Sequence, residues 1–274
     1  MSKRLREVFE SGRTDGRPLF IPYVTGGYPA PEDTVPILLA MEAGGADVIE
    51  IGVPFTDPLA DGATVQHANQ IAIEHGVTMV QCFDFVREAR RQGLRAPVLF
   101  MGYYNPILSL GEERAAKLAH DAGGDGFIIV DLPPEEAGVF VAACRANDMS
   151  FVPLVAPTTA EDRVAKLDAV ADAFIYCVSV TGTTGGAAVS PEALPEFLAR
   201  VRRHTRLPLA VGFGVSTRAH VEAIGKLADA AVIGSAIIAC IDAATSRLSK
   251  PGSLDRGPDI AQSVREFVEN VSGH

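Results

Sequence analysis

The sequence has 274 residues, of which 47% are hydrophobic and 21% charged, and its formal net charge is -10. These proportions are typical of a globular protein with a sizeable core and exclude a disordered chain. An acidic balance without a basic stripe argues against nucleic acid or an anionic membrane as a partner. No apolar run reaches the roughly 20 residues of a membrane-spanning helix. We therefore expect a cytoplasmic globular protein.

The four cysteines lie far apart in the chain and form no CxxC pair: Cys82, Cys144, Cys177 and Cys240. No histidine stands at metal-ligand spacing from them. This pattern predicts four reduced thiols and no metal site. It also fits the reducing compartment that a cytoplasmic protein occupies.

The order of predicted elements indicates an α/β fold. Residues 1–16 alternate charged and apolar residues, as in a helix that caps the domain. Eight short apolar runs rich in β-branched residues follow, separated by helical stretches: Leu19–Val24, Val48–Gly52, Val98–Met101, Phe127–Val130, Phe151–Val155, Phe174–Val178, Leu209–Phe213 and Ala231–Ile233. A doubly wound open sheet would share such strands, but eight units favour closure into a (β/α)8 TIM barrel.

We expect residues 1–274 to form this single TIM-barrel domain with an N-terminal capping helix. The stretch 251–258, rich in Pro, Ser, Gly and Asp, resembles a linker and precedes a final helix over Ile260–Val271. Nothing else in the sequence indicates a second domain.

The second predicted strand carries an acidic residue in an apolar run. The two-residue period of a strand places Val48, Glu50 and Gly52 on one face, which points Glu50 into the barrel. An ionised carboxylate without a partner there costs free energy that folding alone would not select. The alternative is a structural Glu50 paired with an inward Arg or Lys, although no predicted strand contains a basic residue. We expect Glu50 to be catalytic.

A ten-residue connection, Val53–Gly62, follows this strand, where β-α loops typically have about 2 to 6 residues. Long ordered loops of this kind are usually functional. Asp61 lies just before a helix predicted to begin near Thr64, which makes it a second candidate carboxylate at the mouth of the barrel. Asp61 or Asp57 could instead cap that helix.

The last two predicted strands end in glycines, at Gly212–Gly214 and at Gly234–Ser235. Glycines let backbone N–H groups approach an anion, and a helix N-terminus adds unsatisfied donors, as in the phosphate site of many TIM barrels. Tight turns are the alternative. The stretch Ser179–Gly186 after strand six is glycine-rich and too long for a turn, so it resembles a mobile lid, or else a disordered loop.

A phosphate site on this barrel would also suit a sugar-phosphate isomerase or a Schiff-base aldolase. An aldolase needs a lysine that points into the barrel. The five lysines fall in predicted helices or loops away from the strand ends: Lys3, Lys117, Lys166, Lys226 and Lys250. This placement argues against the Schiff-base mechanism.

The segment Glu50–Gly62 closely resembles the signature of the tryptophan synthase α subunit. The resemblance continues at Tyr23–Gly27, at Met101–Pro106, in the loop after strand six and in the two glycine loops. It implies the retro-aldol cleavage of indole-3-glycerol phosphate to indole and glyceraldehyde 3-phosphate, in tryptophan biosynthesis. Asp61 would then hold the indole N–H, while Glu50 would protonate C3 and remove the glycerol hydroxyl proton. An apolar setting should raise the pKa of Glu50 towards neutrality.

The resemblance also implies further site residues. Those expected to bind the substrate are Tyr23, Met101, Tyr103, Ile128, Tyr176, Thr184, Gly185, Phe213, Gly214, Gly234 and Ser235. Those expected to face a β subunit are Asp57, Asn105 and Pro133. The lid departs from the family pattern at Thr183, where Gly-Val-Thr-Gly is common, and at Gly186–Ala188, which lacks the usual charged or bulky residue.

By the same resemblance, the partner is a tryptophan synthase β subunit or a fused β domain, in an αββα assembly. No cofactor is expected in this chain, since pyridoxal phosphate would belong to the β partner. The β partner would condense the released indole with serine. Two alternatives stay open, a stand-alone indole-releasing lyase and a non-catalytic barrel that activates a β partner, although the presence of both Glu50 and Asp61 argues against the second.

Overall fold

The computed structural model describes residues 1–178, 193–212, 214–248 and 257–273. Within these ranges all strand pairings are parallel, and the strands form one sheet in the order β5-β4-β3-β2-β1-β9-β8-β7-β6. The strands are β1 (Leu19–Thr25), β2 (Ile49–Gly52), β3 (Val98–Gly102), β4 (Gly126–Ile129), β5 (Ser150–Val152), β6 (Leu154–Val155), β7 (Ile175–Val178), β8 (Leu209–Gly212) and β9 (Ala230–Ile233).

The two ends of this sheet order, β5 and β6, are separated in the chain by Pro153 alone. The sheet therefore curls into a nearly closed barrel, as the sequence predicts. The prediction of one strand over Phe151–Val155 is wrong in one respect, because the strand is split at Pro153. A proline has no N–H to donate to the strand ladder, whereas its carbonyl still accepts the Tyr176 N–H at 3.0 Å.

Helices connect the strands and cover the outside of the barrel. A 3-10 turn over Pro31–Asp33 precedes the second helix. The helices are α1 (Lys3–Asp15), α2 (Thr34–Ala43), α3 (Ala63–Glu74), α4 (Met79–Arg91), α5 (Tyr104–Leu110), α6 (Glu112–Asp121), α7 (Gly138–Ala146), α8 (Glu161–Val170), α9 (Leu194–Arg202), α10 (Arg218–Gly225), α11 (Ser235–Leu248) and α12 (Gly257–Ser272).

The helices follow the predicted order with two differences. The connections after β2 and β3 each contain two helices, where simple alternation predicts one. The final helix begins at Gly257 rather than at Ile260, because Pro258 is well suited to a first helical turn. The predicted linker over 251–258 therefore overlaps this helix, and residues 251–256 lie outside the described part of the chain. None of the described helices is long and apolar enough to cross a membrane.

The strands alternate between two cores. On β2 and just before it, Val48 belongs to the cluster inside the barrel, together with Leu99 and Ile128, while Ile49 and Ile51 belong to the cluster between the sheet and the helices. This is the two-residue period of a strand. It follows that Glu50, between Ile49 and Ile51, faces the barrel interior as predicted.

Helix α1 closes the amino-terminal end of the barrel. Its Leu5 and Phe9 are buried in the interior cluster, where the Phe9 ring lies 5.1 Å from that of Phe174. Nearby, the buried Asp125 carboxylate accepts hydrogen bonds from the Ser2 hydroxyl at 2.6 Å and from Arg90 at 2.9 Å. Because this end is plugged, access to the interior is left at the carboxyl ends of the strands.

Candidate active site

A cavity of about 690 Å³ opens at the carboxyl ends of the strands. Three polar side chains on the inner face of the barrel line it, namely Tyr23 of β1, Glu50 of β2 and Tyr176 of β7. The rest of its wall comes from the loop and helix after β2, from β6 and β9, from the ends of β3, β7 and β8, and from the segments that follow β4, β6, β8 and β9. No Lys, Arg or His is present among the described residues that line it.

Glu50 is fully buried in this cavity wall. Neither of its carboxyl oxygens has a hydrogen-bond partner among the described residues. Within that part of the chain, the alternative of a structural Glu50 paired with Arg or Lys is therefore wrong. Burial in an apolar setting disfavours the charged form. It raises the pKa of Glu50 to about 8.

Asp61 enters the cavity from the loop between β2 and α3. It does not cap α3, whose N-cap is Gly62 and has no side-chain bond. Instead, its Oδ2 accepts a hydrogen bond from Asn69 Nδ2 at 3.1 Å. Burial raises the pKa of Asp61 to about 6, against the opposing hydrogen bonds of Tyr103 and Asn69.

Tyr103 holds this loop from outside the cavity. Its hydroxyl accepts the Ala60 N–H at 3.0 Å and also hydrogen bonds with the Asp61 carboxylate. Its ring stacks on Phe55 with 4.8 Å between centroids. Tyr103 therefore contacts the carboxylate rather than lining the cavity, where we expected it to border the ligand.

The two cavity tyrosines need glycines opposite them. The Tyr23 hydroxyl occupies the space that a Cβ at Gly52 would fill, and a Cβ at Gly212 would lie 2.7 Å from the Tyr176 hydroxyl. The Tyr23 hydroxyl hydrogen bonds with Thr25 Oγ1 at 3.1 Å. Burial raises the pKa of both tyrosines well above the ordinary value. Both phenols are neutral near neutral pH and leave no phenolate beside Glu50.

The opposite wall suits an anion. Gly214 has a φ of +44°, which favours glycine, and Gly234 directly precedes Ser235, the first residue of α11. The N–H groups of Ile237 and Ile238 bond to the Gly234 carbonyl at 2.9 and 3.2 Å, so the helical turn starts at the cavity. The positive end of the helix dipole therefore points towards this wall.

The remaining predicted site residues fall into three groups. Met101 lines the cavity, whereas Ile128 is fully buried in the barrel interior and is not among the described lining residues. Asp57 and Asn105 are exposed and Pro133 is partly exposed, on the loops after β2, β3 and β4. The predictions for Phe213, Thr183, Thr184, Gly185 and Gly186–Ala188 lie outside the described residues.

Several residues that line the cavity or contact its lining were not predicted from the sequence. Asn69 is one, and its signal was a polar residue on the buried face of α3, beside Ala68 and Ala72. The apolar wall residues Leu154, Val178 and Val215 carried no signal that distinguishes them from ordinary core positions.

A second, more open groove of about 700 Å³ lies between the 3-10 turn, α3 and α11, near Tyr28, His67 and Asp242. It contains neither of the two candidate carboxylates. In the described part of the chain, no three His, Cys, Asp or Glu side chains cluster so as to hold a metal ion. The cavity at the strand ends is therefore the stronger candidate for an active site.

Comparison with known proteins agrees with this geometry. The sequence profile described as "Tryptophan synthase alpha chain" matches residues 9–256. The chain belongs to the tryptophan synthase α chain family. The reaction of this family is the cleavage of indole-3-glycerol phosphate to indole and glyceraldehyde 3-phosphate, which makes the chain a carbon-carbon lyase of tryptophan biosynthesis.

Individual tryptophan synthase sequences and structures resemble the chain over most of its length. It is 46% identical to the tryptophan synthase α chain of Roseiflexus sp. strain RS-1, over 96% of this chain and 99% of that one. It is 48% identical to the tryptophan synthase of Saccharomyces cerevisiae over 89% of this chain, but spans 35% of that longer protein. The crystal structure of tryptophan synthase subunit α from Legionella pneumophila superposes with a TM-score of 0.85, at 30% identity, over 98% of this chain and 100% of that one.

Proposed function

We propose that the chain releases indole from indole-3-glycerol phosphate in the cavity at the strand ends, with Glu50 as the general acid and base and Asp61 as the acceptor of the indole N–H. The observation that carries this proposal is that one cavity holds two carboxyl groups whose pKa values differ. Glu50 has a pKa of about 8 and Asp61 of about 6. Near neutral pH, one is protonated and the other ionised, and such a pair divides acid work from charge stabilisation.

Glu50 begins the reaction as an acid. Its proton goes to C3 of the indole, which breaks the aromaticity of the pyrrole ring and leaves Glu50 as a carboxylate. That carboxylate then takes the proton of the glycerol hydroxyl next to the ring while the carbon-carbon bond breaks. The electron pair of the broken carbon-carbon bond returns to the indole ring, and Glu50 is again protonated. Proton transfer by a positioned side chain contributes roughly 10² to 10⁴ in rate.

Asp61 stabilises the intermediate between these two proton transfers. Protonation at C3 places positive charge on the ring nitrogen, and an ionised carboxylate at the N–H offsets that charge. The cavity lining has no Lys, Arg or His among its described residues, so no cation competes for this carboxylate.

The walls of the cavity suit the two ends of this substrate. A flat indole ring suits the apolar part of the wall. That part consists of the rings of Tyr23 and Tyr176 and of apolar side chains at strand ends, such as Met101, Leu154 and Val178. Backbone at Gly214, Gly234 and Ser235 would bind the phosphate at the start of α11. Thr184 and Gly185 of the predicted lid are part of this proposal by family resemblance.

The proposal includes a β partner on one side of the barrel mouth. The three most exposed large apolar side chains of the described residues lie on the connections after β2, β3 and β4: Leu59 is 80% exposed, Leu108 57% and Val139 61%. They lie on the same connections as Asp57, Asn105 and Pro133. Neighbouring exposed apolar side chains are typical of interaction surfaces. We expect a β subunit or fused β domain to bind there, in an αββα assembly.

The remaining parts of the proposal concern cofactor and location. Every proton transfer above uses a side chain of this chain, so pyridoxal phosphate is assigned to the β partner. The four cysteines are free, and three of them are buried, which supports a reducing compartment such as the cytoplasm.

Two variants test the assignment. We expect Glu50→Gln and Asp61→Asn each to abolish indole release from indole-3-glycerol phosphate. Both variants should still bind glyceraldehyde 3-phosphate, as measured by calorimetry. Glu74→Gln, which changes an exposed carboxylate at the end of α3, is the control and should keep full activity. Unchanged turnover in either of the first two variants contradicts the roles proposed for Glu50 and Asp61.

The same assay separates the alternatives. A wild-type chain that activates a β subunit but releases no indole would be the non-catalytic barrel. A chain that releases indole at full rate and binds no β subunit would be the stand-alone lyase. Borohydride treatment with substrate should leave the protein unmodified, and a trapped adduct would support the Schiff-base aldolase.

A further inference from the structure

The carboxylate of Asp61 is held by neutral groups from two different elements. Asn69, on α3, donates its Nδ2 to Asp61 Oδ2 at 3.1 Å. The hydroxyl of Tyr103, just before α5, also interacts with the Asp61 carboxyl group and lowers its pKa, while accepting the Ala60 N–H at 3.0 Å. The Asp61 carboxylate is therefore fixed in direction, although its loop connects two elements and has no regular structure of its own.

Asn69 is unusual for its place in the fold. It is 2% exposed and shares the buried face of α3 with Val65, Ala68 and Ala72. Its Oδ1 is buried and has no hydrogen-bond partner among the described residues. Burying an amide with an unpaired carbonyl disfavours folding, so packing alone would favour an apolar residue here. The one hydrogen bond that the side chain makes within the described structure is the bond to Asp61.

The direction of that bond is informative. An amide N–H that donates to a carboxylate stabilises the charged form of the acid. The Asn69 amide therefore favours ionised Asp61 over protonated Asp61. It also occupies Oδ2, and since each carboxylate oxygen can accept more than one hydrogen bond, acceptor capacity remains for a ligand N–H in the cavity.

We infer that Asn69 is a positioning residue for the lyase reaction, which keeps the Asp61 carboxylate ionised and aimed at the indole N–H. This inference rests on the role proposed for Asp61. Asn69 does not line the cavity, so it acts through Asp61 and not on the substrate. Without it, a larger fraction of Asp61 is protonated at neutral pH and cannot offset the positive charge on the indole ring.

The titratable groups that face Asp61 make its ionisation sensitive to the loss of the hydrogen bond from Asn69. They are Tyr23 from β1, Glu50 from β2, Tyr103 after β3 and Tyr176 from β7. The three tyrosines are neutral near neutral pH, and Glu50, when ionised, would repel the charge on Asp61. Two neutral donors, Asn69 and Tyr103, are the groups that oppose the effect of burial on the pKa of Asp61.

The test is the pH dependence of indole release by Asn69→Leu, which keeps the side-chain size and removes the donor. We expect the acid limb of its kcat/KM profile to move to higher pH by about one unit, and kcat/KM at pH 6 to fall roughly fivefold because the ionised fraction of Asp61 falls from about a half to about a tenth. The ratio of variant to wild-type activity should approach one as the pH rises above the shifted limb, whereas a structural defect would lower this ratio at every pH. The phosphate of the substrate titrates identically in all variants and does not contribute to the difference.

Gln70→Leu is the matched control, because Gln70 is the exposed neighbour on α3 and bonds to Glu74 instead. Its pH profile should coincide with that of the wild type. Asn69→Ser, which is smaller, polar and too short to reach Asp61, guards against a leucine variant that does not fold. It should show the same upward shift of the acid limb.

A second measurement follows the carboxylate itself. The ¹³C NMR titration of Asp61 in Asn69→Ser should show a higher pKa than in the wild type. If wild-type protein releases indole while both Asn69 variants keep its acid limb and its Asp61 titration, the inference about Asn69 is overturned and the proposed function stands. If wild-type protein releases no indole, the proposed function fails, and the NMR titration alone decides whether Asn69 controls the ionisation of Asp61.

Discussion

Glu50 and Tyr23 are register partners on the neighbouring parallel strands β2 and β1, so their side chains lie next to each other in the barrel wall. Both are buried and both line the cavity at the strand ends. The tyrosine hydroxyl hydrogen bonds with Thr25, while the carboxyl group of Glu50 has no partner within the described residues. This unpaired, desolvated position is the physical reason that Glu50 is an acid near neutral pH.

The first prediction concerns the pH dependence of indole release. The active form needs Glu50 protonated, which holds below its pKa of about 8, and Asp61 ionised, which holds above its pKa of about 6. We therefore expect a bell-shaped profile of kcat/KM with limbs near these two values. Steady-state rates between pH 5 and pH 10 check this, and a rate that still rises through pH 10 would contradict the acid role of Glu50.

The second prediction concerns stability. The folded pKa of Glu50, about 8, lies above the ordinary 4.5, so between these values the native state binds more protons than the unfolded state. The free energy of unfolding should then fall as the pH rises across this range. Glu50→Gln removes this loss, which amounts to up to about 5 kcal/mol at the alkaline end.

Urea unfolding of wild type and Glu50→Gln at several pH values between 5 and 9 measures this effect. The two curves should diverge as the pH rises, with the variant the more stable. Glu74→Gln, which changes an exposed carboxylate, should follow the wild type throughout. Parallel curves for Glu50→Gln and wild type would show that Glu50 is not desolvated in the native state.

The third prediction concerns the fit between Gly52 and Tyr23. A Cβ at residue 52 would occupy the position of the Tyr23 hydroxyl, so Gly52→Ala must displace the ring from the cavity wall. We expect the free energy of unfolding to fall by about 1 to 3 kcal/mol and kcat to fall as well, because Glu50 loses its neighbour. Chemical denaturation and the indole assay measure the two effects.

Gly138→Ala is the control for this substitution. Gly138 begins α7, and a Cβ there would meet nothing within 4 Å. The substitution should leave the rate unchanged and slightly stabilise the protein, since alanine favours helix more than glycine does. A Gly52→Ala variant as stable and active as Gly138→Ala would rule out the proposed packing constraint.

The fourth prediction concerns the exposed apolar side chains Leu59, Leu108 and Val139. Leu108→Ser and Val139→Ser should each weaken binding to a tryptophan synthase β subunit by roughly tenfold, while indole release by the isolated chain stays the same. Isothermal titration calorimetry measures the affinity. Leu227→Ser, a control in the connection before β9 at the amino-terminal end of the strands, should bind normally. Equal affinities for all three variants would place the partner elsewhere.

Much of the site could be predicted from sequence because it depends on local rules. The period of a strand placed Glu50 inside the barrel, and the length of the Val53–Gly62 connection marked the loop of Asp61. Glycines after the last strands marked the part of the cavity wall formed by Gly214 and Gly234. Each of these features depends on a few consecutive residues, so no knowledge of distant contacts was needed.

The contacts that tune the site could not be predicted in this way. Asn69 lies eight residues after Asp61, and Tyr103 comes from the next strand connection, so their meeting depends on how α3 and α5 pack against the barrel. Likewise, Gly52 alone does not reveal that the Tyr23 hydroxyl lies against it. The sequence by itself determined which residues face the barrel interior, because backbone periodicity is local. Only the tertiary structure decided how the Asp61 carboxylate is held, because its hydrogen-bond partners are brought within reach by long-range packing.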